Sequence, residues 1–155
     1  MNNVYYTYDT VFGRITIESN GKAVTCIKTE SHADQKGQKN TDPITEKAAR
    51  QLEEYFIGKR THFDVPLDPN GTDFRRSVWQ ALCQIPYGET KSYKQIAQAI
   101  NNPNACRAVG LANNKNPIWI MIPCHRVIGT NGALTGYGGG LEMKQRLLEL
   151  EQRKK

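Results

Sequence analysis

The sequence lacks several features that would place the protein in a special structural class. It has no apolar run near the roughly 20 residues that span a bilayer, and its N-terminus has no signal-peptide apolar core. It has only four cysteines, and no two of them form a CxxC pair. We therefore expect a cytoplasmic protein with free thiols and no membrane role.

Acidic residues are fewer than basic ones. Asp and Glu number 15 against 21 Lys and Arg, which gives a formal net charge of +6. This balance favours a polyanionic partner, although many ordinary soluble proteins are equally basic. The 155 residues suffice for one ordinary domain or two small ones.

The first third of the chain alternates between apolar and polar residues, as strands do. Asn20-Gly21 is a hairpin signal. Residues 30 to 41 are polar and predict an exposed loop. Asp42 then predicts a helix N-cap, and an apolar stripe continues to Phe56 until Gly58 ends the helix. These patterns predict a small antiparallel sheet covered by one helix. The inward-facing strand residues are predicted to be Val4, Tyr6, Tyr8, Ile15, Ile17, Val24 and Cys26.

The strongest boundary signal is the turn-forming segment 68–71, with sequence DPNG. It predicts two domains, an α/β domain over residues 1–70 and a helical domain over residues 71–155. In the second, Thr72 caps a first helix, and Ser92 with Gln95 forms a capping box for the next.

A short turn over residues 101–104 leads into a further helix from about Ala105 to Asn114. Helix, tight turn and helix in a basic protein is the layout of a helix-turn-helix DNA reader, although most such pairs are only packing units. The second helix carries the small residues Ala105, Ala108, Gly110 and Ala112, and Arg107 projects from it.

A helix with ordinary side chains is about 10–12 Å across, whereas the minor groove of B-DNA is about 6 Å wide. Only a slim helix fits there, and one long cationic side chain on it can enter the base stack. The alternative is tight helix packing by the small residues, with Arg107 as a solvated charge.

The apolar run 118–122 predicts a short buried extended segment that ends at the tetrapeptide Pro123-Cys124-His125-Arg126. A histidine beside a cysteine suggests an activated thiol. Neighbouring side chains diverge in an extended chain, so activation requires a bridging water or a bent backbone. The alternative is a buried cysteine that acts as a small hydrophobic residue.

The last helix, from about Leu141, places Leu147, Leu148 and Glu151 on one face. A carboxylate on an apolar face needs a partner, and His125 is a chemically sensible one. Alternatively, the final turn frays and Glu151 pairs with Lys155.

These motifs together resemble the O6-alkylguanine-DNA alkyltransferases. The resemblance covers about residues 72–151, and the first 70 residues are similar in layout only. It implies a ribonuclease-H-like N-terminal domain and a winged-helix-like C-terminal domain. The segments that carry it are PCHRV (123–127), RAVG (107–110), NP (116–117), GY (136–137) and GGL (139–141).

The resemblance implies a role for each matching residue. Cys124 takes the alkyl group from guanine O6, or less efficiently thymine O4, and His125 and Glu151 activate it through a water. Asn116 links this relay to the helix-turn-helix. Tyr93 contacts the phosphate and the flipped base, and Arg107 fills the gap in the stack. The remaining implied DNA contacts are Ala105, Ala108, Gly110 and Asn113, and the implied substrate pocket comprises Val127, Tyr137 and Gly138.

No cofactor is implied, and the expected partner is double-stranded DNA that carries O6-alkylguanine, bound by a monomer. Some family members carry zinc in the N-terminal domain, but here that domain offers only Cys26, His32 and His62, so we expect none. Gly138 replaces a frequent hydroxyl residue, which leaves a backbone N–H to meet O6.

Two other functions remain open at this level. One is a helix-turn-helix regulator or lesion-recognition protein whose cysteine is incidental. The other is a cysteine hydrolase that uses Cys124, His125 and Glu151. Turnover distinguishes the hydrolase, because a thioester hydrolyses readily and a thioether does not.

Overall fold

The chain divides into two units. A computed structural model of the protein describes residues 3–30, 33, 37–129 and 140–153. The first unit comprises Met1–Asn70 with Pro117–Trp119, and the second comprises Gly71–Asn116 with Ile120–Lys155. In the described part of the chain, no helix is both long enough and apolar enough to cross a bilayer.

A four-stranded sheet forms the first unit. Its strands are β1 (Val4–Thr10), β2 (Gly13–Ser19), β3 (Val24–Thr29) and β4 (Gln38–Lys39). They lie in the order β3-β2-β1-β4, with β1, β2 and β3 antiparallel and β4 parallel to β1. The predicted meander is confirmed, but β4 lies in the segment predicted to be a loop. Its two residues are polar and exposed, so no hydrophobic pattern marks it.

The burial of β3 departs from simple alternation because of a bulge. The register shifts between Glu18 and Ser19, so that Cys26 pairs with Glu18 while Val24 pairs with Ser19. An inserted residue reverses which side chains face inward. Ile27 is therefore buried and Cys26 only partly so, contrary to the prediction, and Tyr6 on β1 is also exposed.

Helix α1 (Pro43–Phe56) covers the sheet, as predicted. Asp42 Oδ1 accepts from the Thr45 N–H at 2.8 Å, and Thr45 Oγ1 accepts from the Asp42 N–H at 3.0 Å, which completes a capping box. The buried face of α1 includes Ala48, Leu52 and Tyr55. At its C-terminal end the ring of Phe56 stacks on that of Phe12 with centroids 4.5 Å apart.

The second unit is mainly helical, which confirms the predicted fold class. Its helices are α2 (Asp73–Cys83), α3 (Tyr93–Ala99), α4 (Cys106–Asn114) and α5 (Leu141–Arg153). The predicted capping box of α3 is present, with Ser92 and Gln95 as its members. Two short parallel strands, β5 (Lys91–Ser92) and β6 (Val127–Ile128), add to the predicted helices.

The predicted extended segment over residues 118–122 is only partly extended. Ile118 bridges to Ile27, and the Trp119 N–H donates to the Ile27 carbonyl at 2.9 Å. Ile120 then adopts φ +74, which turns the chain and ends the ladder. Positive φ is rare for a β-branched residue. The prediction of burial is correct, because all five side chains are buried.

Trp79 connects α2 to α4 in the second unit. Its Nε1 donates to the Ala112 carbonyl at 2.9 Å, and the side chain is buried. Gly71 lies against the indole ring, where an added Cβ would stand 2.5 Å from the nearest ring carbon. Because real Cβ contacts are much longer, only glycine fits beside this ring.

We therefore expect Gly71→Ala to lower the free energy of unfolding by roughly 1–3 kcal/mol, the usual cost of overpacking. Urea denaturation measures this change. Gly110→Ala is the matched control, since its Cβ would meet only the Tyr93 ring at an ordinary 3.9 Å, and alanine is favoured over glycine inside a helix by about 1 kcal/mol. Equal stability of the two variants would contradict the packing argument.

Candidate active site

A single 3-10 turn, Cys124–Arg126, carries the candidate nucleophile, and we call it the acceptor turn. The Cys124 N–H donates to the Ile122 carbonyl at 2.7 Å, and the Arg126 N–H donates to that of Pro123 at 2.9 Å. The bent backbone that the sequence left as an option is therefore present. All three side chains of the turn are buried.

Glu151 on α5 contacts the other two members of the turn. Its Oε2 lies 2.7 Å from Nε2 of His125, and both side chains are fully buried. Arg126 makes two hydrogen bonds to the same carboxylate, Nε to Oε1 at 2.8 Å and Nη2 to Oε2 at 3.0 Å. The Gly88 N–H also donates to Oε1 at 3.2 Å. Burial and these bonds argue against the frayed alternative for Glu151; Lys155 lies outside the described residues.

The charge states of this group follow from burial and contact. Burial raises the pKa of Glu151, but the hydrogen bonds and charges of His125 and Arg126 outweigh it and lower the pKa to about 2. Burial lowers the pKa of His125, opposed in part by its hydrogen bond to Glu151. At neutral pH the pair is thus a carboxylate and a neutral imidazole.

The contact with Glu151 also fixes the tautomer of His125. A neutral imidazole bonded to a carboxylate through Nε2 carries its proton there, so Nδ1 holds a lone pair. Nδ1 is buried and has no hydrogen-bond partner among the described residues. It can accept a proton.

Cys124 is a neutral thiol in this environment. Burial raises its pKa to about 11, although a hydrogen bond from Asn116 and the charge of Lys144 both favour the thiolate. The thiol expected to be activated beside His125 is therefore not a thiolate in the resting protein, because burial raises its pKa and the neutral imidazole supplies no positive charge. Reaction at Cys124 requires removal of its proton.

Two asparagines at the C-terminal end of α4 hold the acceptor turn. Asn116 Nδ2 donates to the Ile122 carbonyl at 2.9 Å, and Asn113 Nδ2 donates to the Cys124 carbonyl at 3.4 Å. Both side chains are buried. Asn113, grouped from the sequence with the DNA contacts, is therefore brought to the acceptor turn and not to the exposed face of α4.

Sequence reasoning missed two cations at this site. Arg126 was noted only as part of the motif, and Lys144 was not noted. Lys144 is fully buried, and its Nζ donates to the Val127 carbonyl at 2.6 Å. The available signal was helical spacing, because Lys144 lies three residues before Leu147 and seven before Glu151 on one face of α5. Leu150, and not Leu148, completes the buried apolar part of that face.

The exposed face of α4 carries Arg107, Ala108 and Leu111, with Ala105 and Gly110 partly exposed. Arg107 makes no hydrogen bond or ion pair with any described residue. Tyr93, at the start of α3, lies beside Gly110. Ala112 belongs to the opposite, buried face, so the slim surface predicted from the sequence does not include it.

Tyr137, Gly138 and His32 lie outside the described residues. Among the residues that are described, no group of three or more His, Cys, Asp or Glu side chains is arranged to hold a metal ion.

Two family models match nearly the whole chain. The ribonuclease-like domain of 6-O-methylguanine DNA methyltransferase matches residues 3–69, and the DNA-binding domain of the same protein matches residues 73–153. The chain belongs to the 6-O-methylguanine DNA methyltransferase family.

Individual relatives agree with this assignment. A methylated-DNA--protein-cysteine methyltransferase of Methanosarcina barkeri is 66% identical over 105 residues, which are 68% of this chain and 66% of that protein. One from Mycobacterium tuberculosis is 49% identical over 96% of this chain and 92% of its own length. A crystal structure of M. tuberculosis OGT in complex with DNA has 48% identity and a TM-score of 0.92, and covers 97% of this chain and 94% of that one.

The pKa of Glu151 predicts how the protein responds to acid. An unfolded glutamate titrates near 4.3, so the stabilisation by Glu151 is fully present above that pH and is lost as the pH falls towards about 2. The free energy of unfolding of wild type should exceed that of Glu151→Gln by about 3 kcal/mol at pH 6, and the difference should shrink below pH 4.

Urea denaturation over this pH range measures the difference. Glu149→Gln is the matched control, because Glu149 is an exposed carboxylate on the same helix. A difference for Glu151→Gln that stays constant down to pH 2.5 would mean that the carboxylate is not held ionised.

Proposed function

We propose that this protein repairs DNA by transferring an alkyl group from O6 of a modified guanine to Sγ of Cys124, once per protein molecule. The observation that carries this proposal is the hydrogen-bonded His125–Glu151 pair. His125 lies in the same turn as the thiol, and Glu151 on α5 contacts that turn. The pair offers Nδ1 as a proton acceptor and a carboxylate that stabilises the resulting imidazolium.

The transfer is a displacement at the alkyl carbon. Sulfur attacks the alkyl carbon, the S–C bond forms and the C–O6 bond breaks. The thiol proton passes to Nδ1 of His125, directly or through one water, and the released guanine takes up one proton. The product thioether has no easy hydrolytic exit, so the protein acts once. Thymine O4 is a second, less efficient alkyl donor in the same scheme.

The substrate must leave the duplex, because O6 cannot reach a buried thiol from inside the base stack. The exposed face of α4 suits this task. No described part of the chain demands glycine at position 110, since a Cβ there would make only an ordinary contact with the Tyr93 ring. Close approach of a DNA backbone supplies a reason for small residues at Ala105, Ala108 and Gly110, with Arg107 entering the stack and Tyr93 next to the flipped nucleotide.

The flipped guanine is recognised through a backbone carbonyl beside the acceptor turn. The Cys124 carbonyl already accepts from Asn113 and the Val127 carbonyl from Lys144. The Cys124 carbonyl also accepts from the Val127 N–H, so both of its lone pairs are engaged. The Val127 carbonyl keeps a second lone pair for the guanine amine. Tyr137 and Gly138 complete the pocket in this proposal, and Asn116 supports the thiol.

The remaining features follow from the same scheme. We infer a monomer that acts on duplex DNA in the reducing cytosol, in agreement with four free cysteines among the described residues. We assign the chemistry and the DNA contacts to the domain 71–155.

Incubation with duplex DNA that contains O6-methylguanine should raise the intact mass of the protein by one methyl group. Peptide mass spectrometry should locate it on Cys124, because that is the thiol beside a proton acceptor. Cys83→Ala, which removes an exposed cysteine, is the control and should react like wild type. Several turnovers per molecule, or full activity of Cys124→Ala, would rule out the single-use mechanism.

Arg107→Ala should separate DNA binding from base extrusion. Extrusion costs a few kcal/mol, and an inserted guanidinium offsets part of it. We therefore expect repair of duplex O6-methylguanine to slow about tenfold or more, while reaction with the free base O6-benzylguanine, which needs no extrusion, changes little.

Single-turnover rates on the two substrates measure this separation. Lys115→Ala removes an exposed cation just after α4 and controls for the loss of charge alone. A parallel loss on both substrates for Arg107→Ala would show that Arg107 supports the fold or the pocket instead.

A further inference from the structure

Lys144 is a buried charged group that the proposed transfer step does not use. Its side chain is fully buried, and Nζ donates to the Val127 carbonyl at 2.6 Å. Burial of an ammonium costs several kcal/mol unless its surroundings compensate. A methionine would fill similar space without that cost. A lysine at this position therefore requires a reason beyond packing.

The position of Lys144 on α5 relates it to the acceptor turn. It precedes Glu151 by seven residues, or two helical turns, so both side chains lie on the same face of the helix. Glu151 contacts His125 and Arg126, and Lys144 contacts Val127, the residue that follows the turn. The helix thus presents one anion and one cation to the segment that carries Cys124.

Arg126, a second cation at the acceptor turn, is neutralised. Arg126 is paired with the Glu151 carboxylate through two hydrogen bonds, and His125 is a neutral imidazole. The Val127 carbonyl is uncharged, so its bond with Lys144 leaves the positive charge in place. The field of that ammonium favours the thiolate form of Cys124.

We propose that Lys144 is a positioning residue for alkyl transfer, whose buried ammonium fixes the Val127 carbonyl and lowers the energy of the Cys124 thiolate as its proton leaves. The inference rests on the proposed role of Cys124. The ammonium keeps its own proton throughout, and the thiol proton passes to His125.

This role has a characteristic pH dependence. Burial lowers the pKa of Lys144 to about 8, with a small opposing effect from Cys124. Among the described residues, the titratable groups that face it are Cys124 and His125 of the acceptor turn, with Arg126 and Glu151 beside them. The ammonium is present below about pH 8 and lost above it, so its assistance to the thiolate follows the same course.

The test is the rate of Cys124 alkylation by iodoacetamide between pH 6 and pH 10, followed by peptide mass spectrometry. This small electrophile needs no base-binding pocket, so its rate reports thiolate formation. At pH 7, Cys124 in Lys144→Met should react about tenfold more slowly than in wild type. Loss of the ammonium is expected to raise the pKa of Cys124 by about one unit, which lowers the thiolate fraction about tenfold. The two rates should converge by pH 10.

Lys144→Gln separates the charge from the hydrogen bond. Glutamine keeps a donor for the Val127 carbonyl but carries no charge, so iodoacetamide alkylation should slow as much as in the Met variant. The concentration of O6-benzylguanine that gives half-maximal rate should rise less in the Gln variant than in the Met variant, because the carbonyl stays held.

Arg146→Met is the matched control, since it removes an exposed cation from the same helix and lowers the net charge equally. Its iodoacetamide profile should match wild type. The deciding quantity is the alkylation rate of wild type divided by that of Lys144→Met. If this ratio is the same at pH 7 and pH 10, or equals one at every pH, the proposal is overturned. Failure of both Lys144 variants to fold would assign the residue a structural role and overturn it as well.

Failure of the proposed function has a different signature. Wild-type protein that takes no methyl group from O6-methylguanine DNA would refute alkyl transfer, whatever the iodoacetamide profiles show. Wild-type protein that is methylated, together with unchanged profiles for the variants, would refute the role of Lys144 alone.

Discussion

The rest of the site depends on the hydrogen bonds that the buried carboxylate of Glu151 accepts. The carboxylate accepts from the Arg126 guanidinium, the His125 ring and the Gly88 N–H. A buried carboxylate without such partners would be protonated or would destabilise the fold. The same contacts that stabilise the anion fix the imidazole tautomer and hold α5 against the acceptor turn. Stability and proton acceptance therefore have a common structural cause.

Helix α4 connects DNA contact with chemistry in the proposed mechanism. Its exposed face carries Arg107, while Asn113 and, just beyond its end, Asn116 bond to backbone carbonyls at and before Cys124. A helix of nine residues thus connects Arg107, the group proposed to enter the duplex, with the asparagines that hold the acceptor turn. In that mechanism a helix, and not a loop, sets the distance between Arg107 and the acceptor turn.

The sequence predicted the features that depend on local chemistry. The caps at Asp42 and Ser92 follow from side-chain preferences that act within a few residues. The option of a bent backbone at Cys124 follows from the divergence of neighbouring side chains in an extended chain. The fold class also follows from periodicity. The family resemblance suggested the pairing of Glu151 with His125, and the apolar face of α5 suggested it independently.

What the sequence did not predict depends on contacts between distant residues. Strand β4 forms because the polar residues 38 and 39 pair with the edge of β1. The turn at Ile120 occurs where the pairing with Ile27 ends. Lys144 was missed because lysines are rarely buried, and its carbonyl partner becomes visible only in three dimensions. The raised pKa of Cys124 is likewise a consequence of burial.

That raised pKa bears on how the cysteine survives before it meets damaged DNA. Peroxide and other cellular oxidants react with exposed thiolates and convert them first to sulfenic acid. Cys124 is 2% exposed and protonated at neutral pH, so it is a poor target for them. Under the proposed single-use mechanism, burial and protonation thus protect the acceptor from oxidation, at the cost of a proton that must be removed when the substrate arrives.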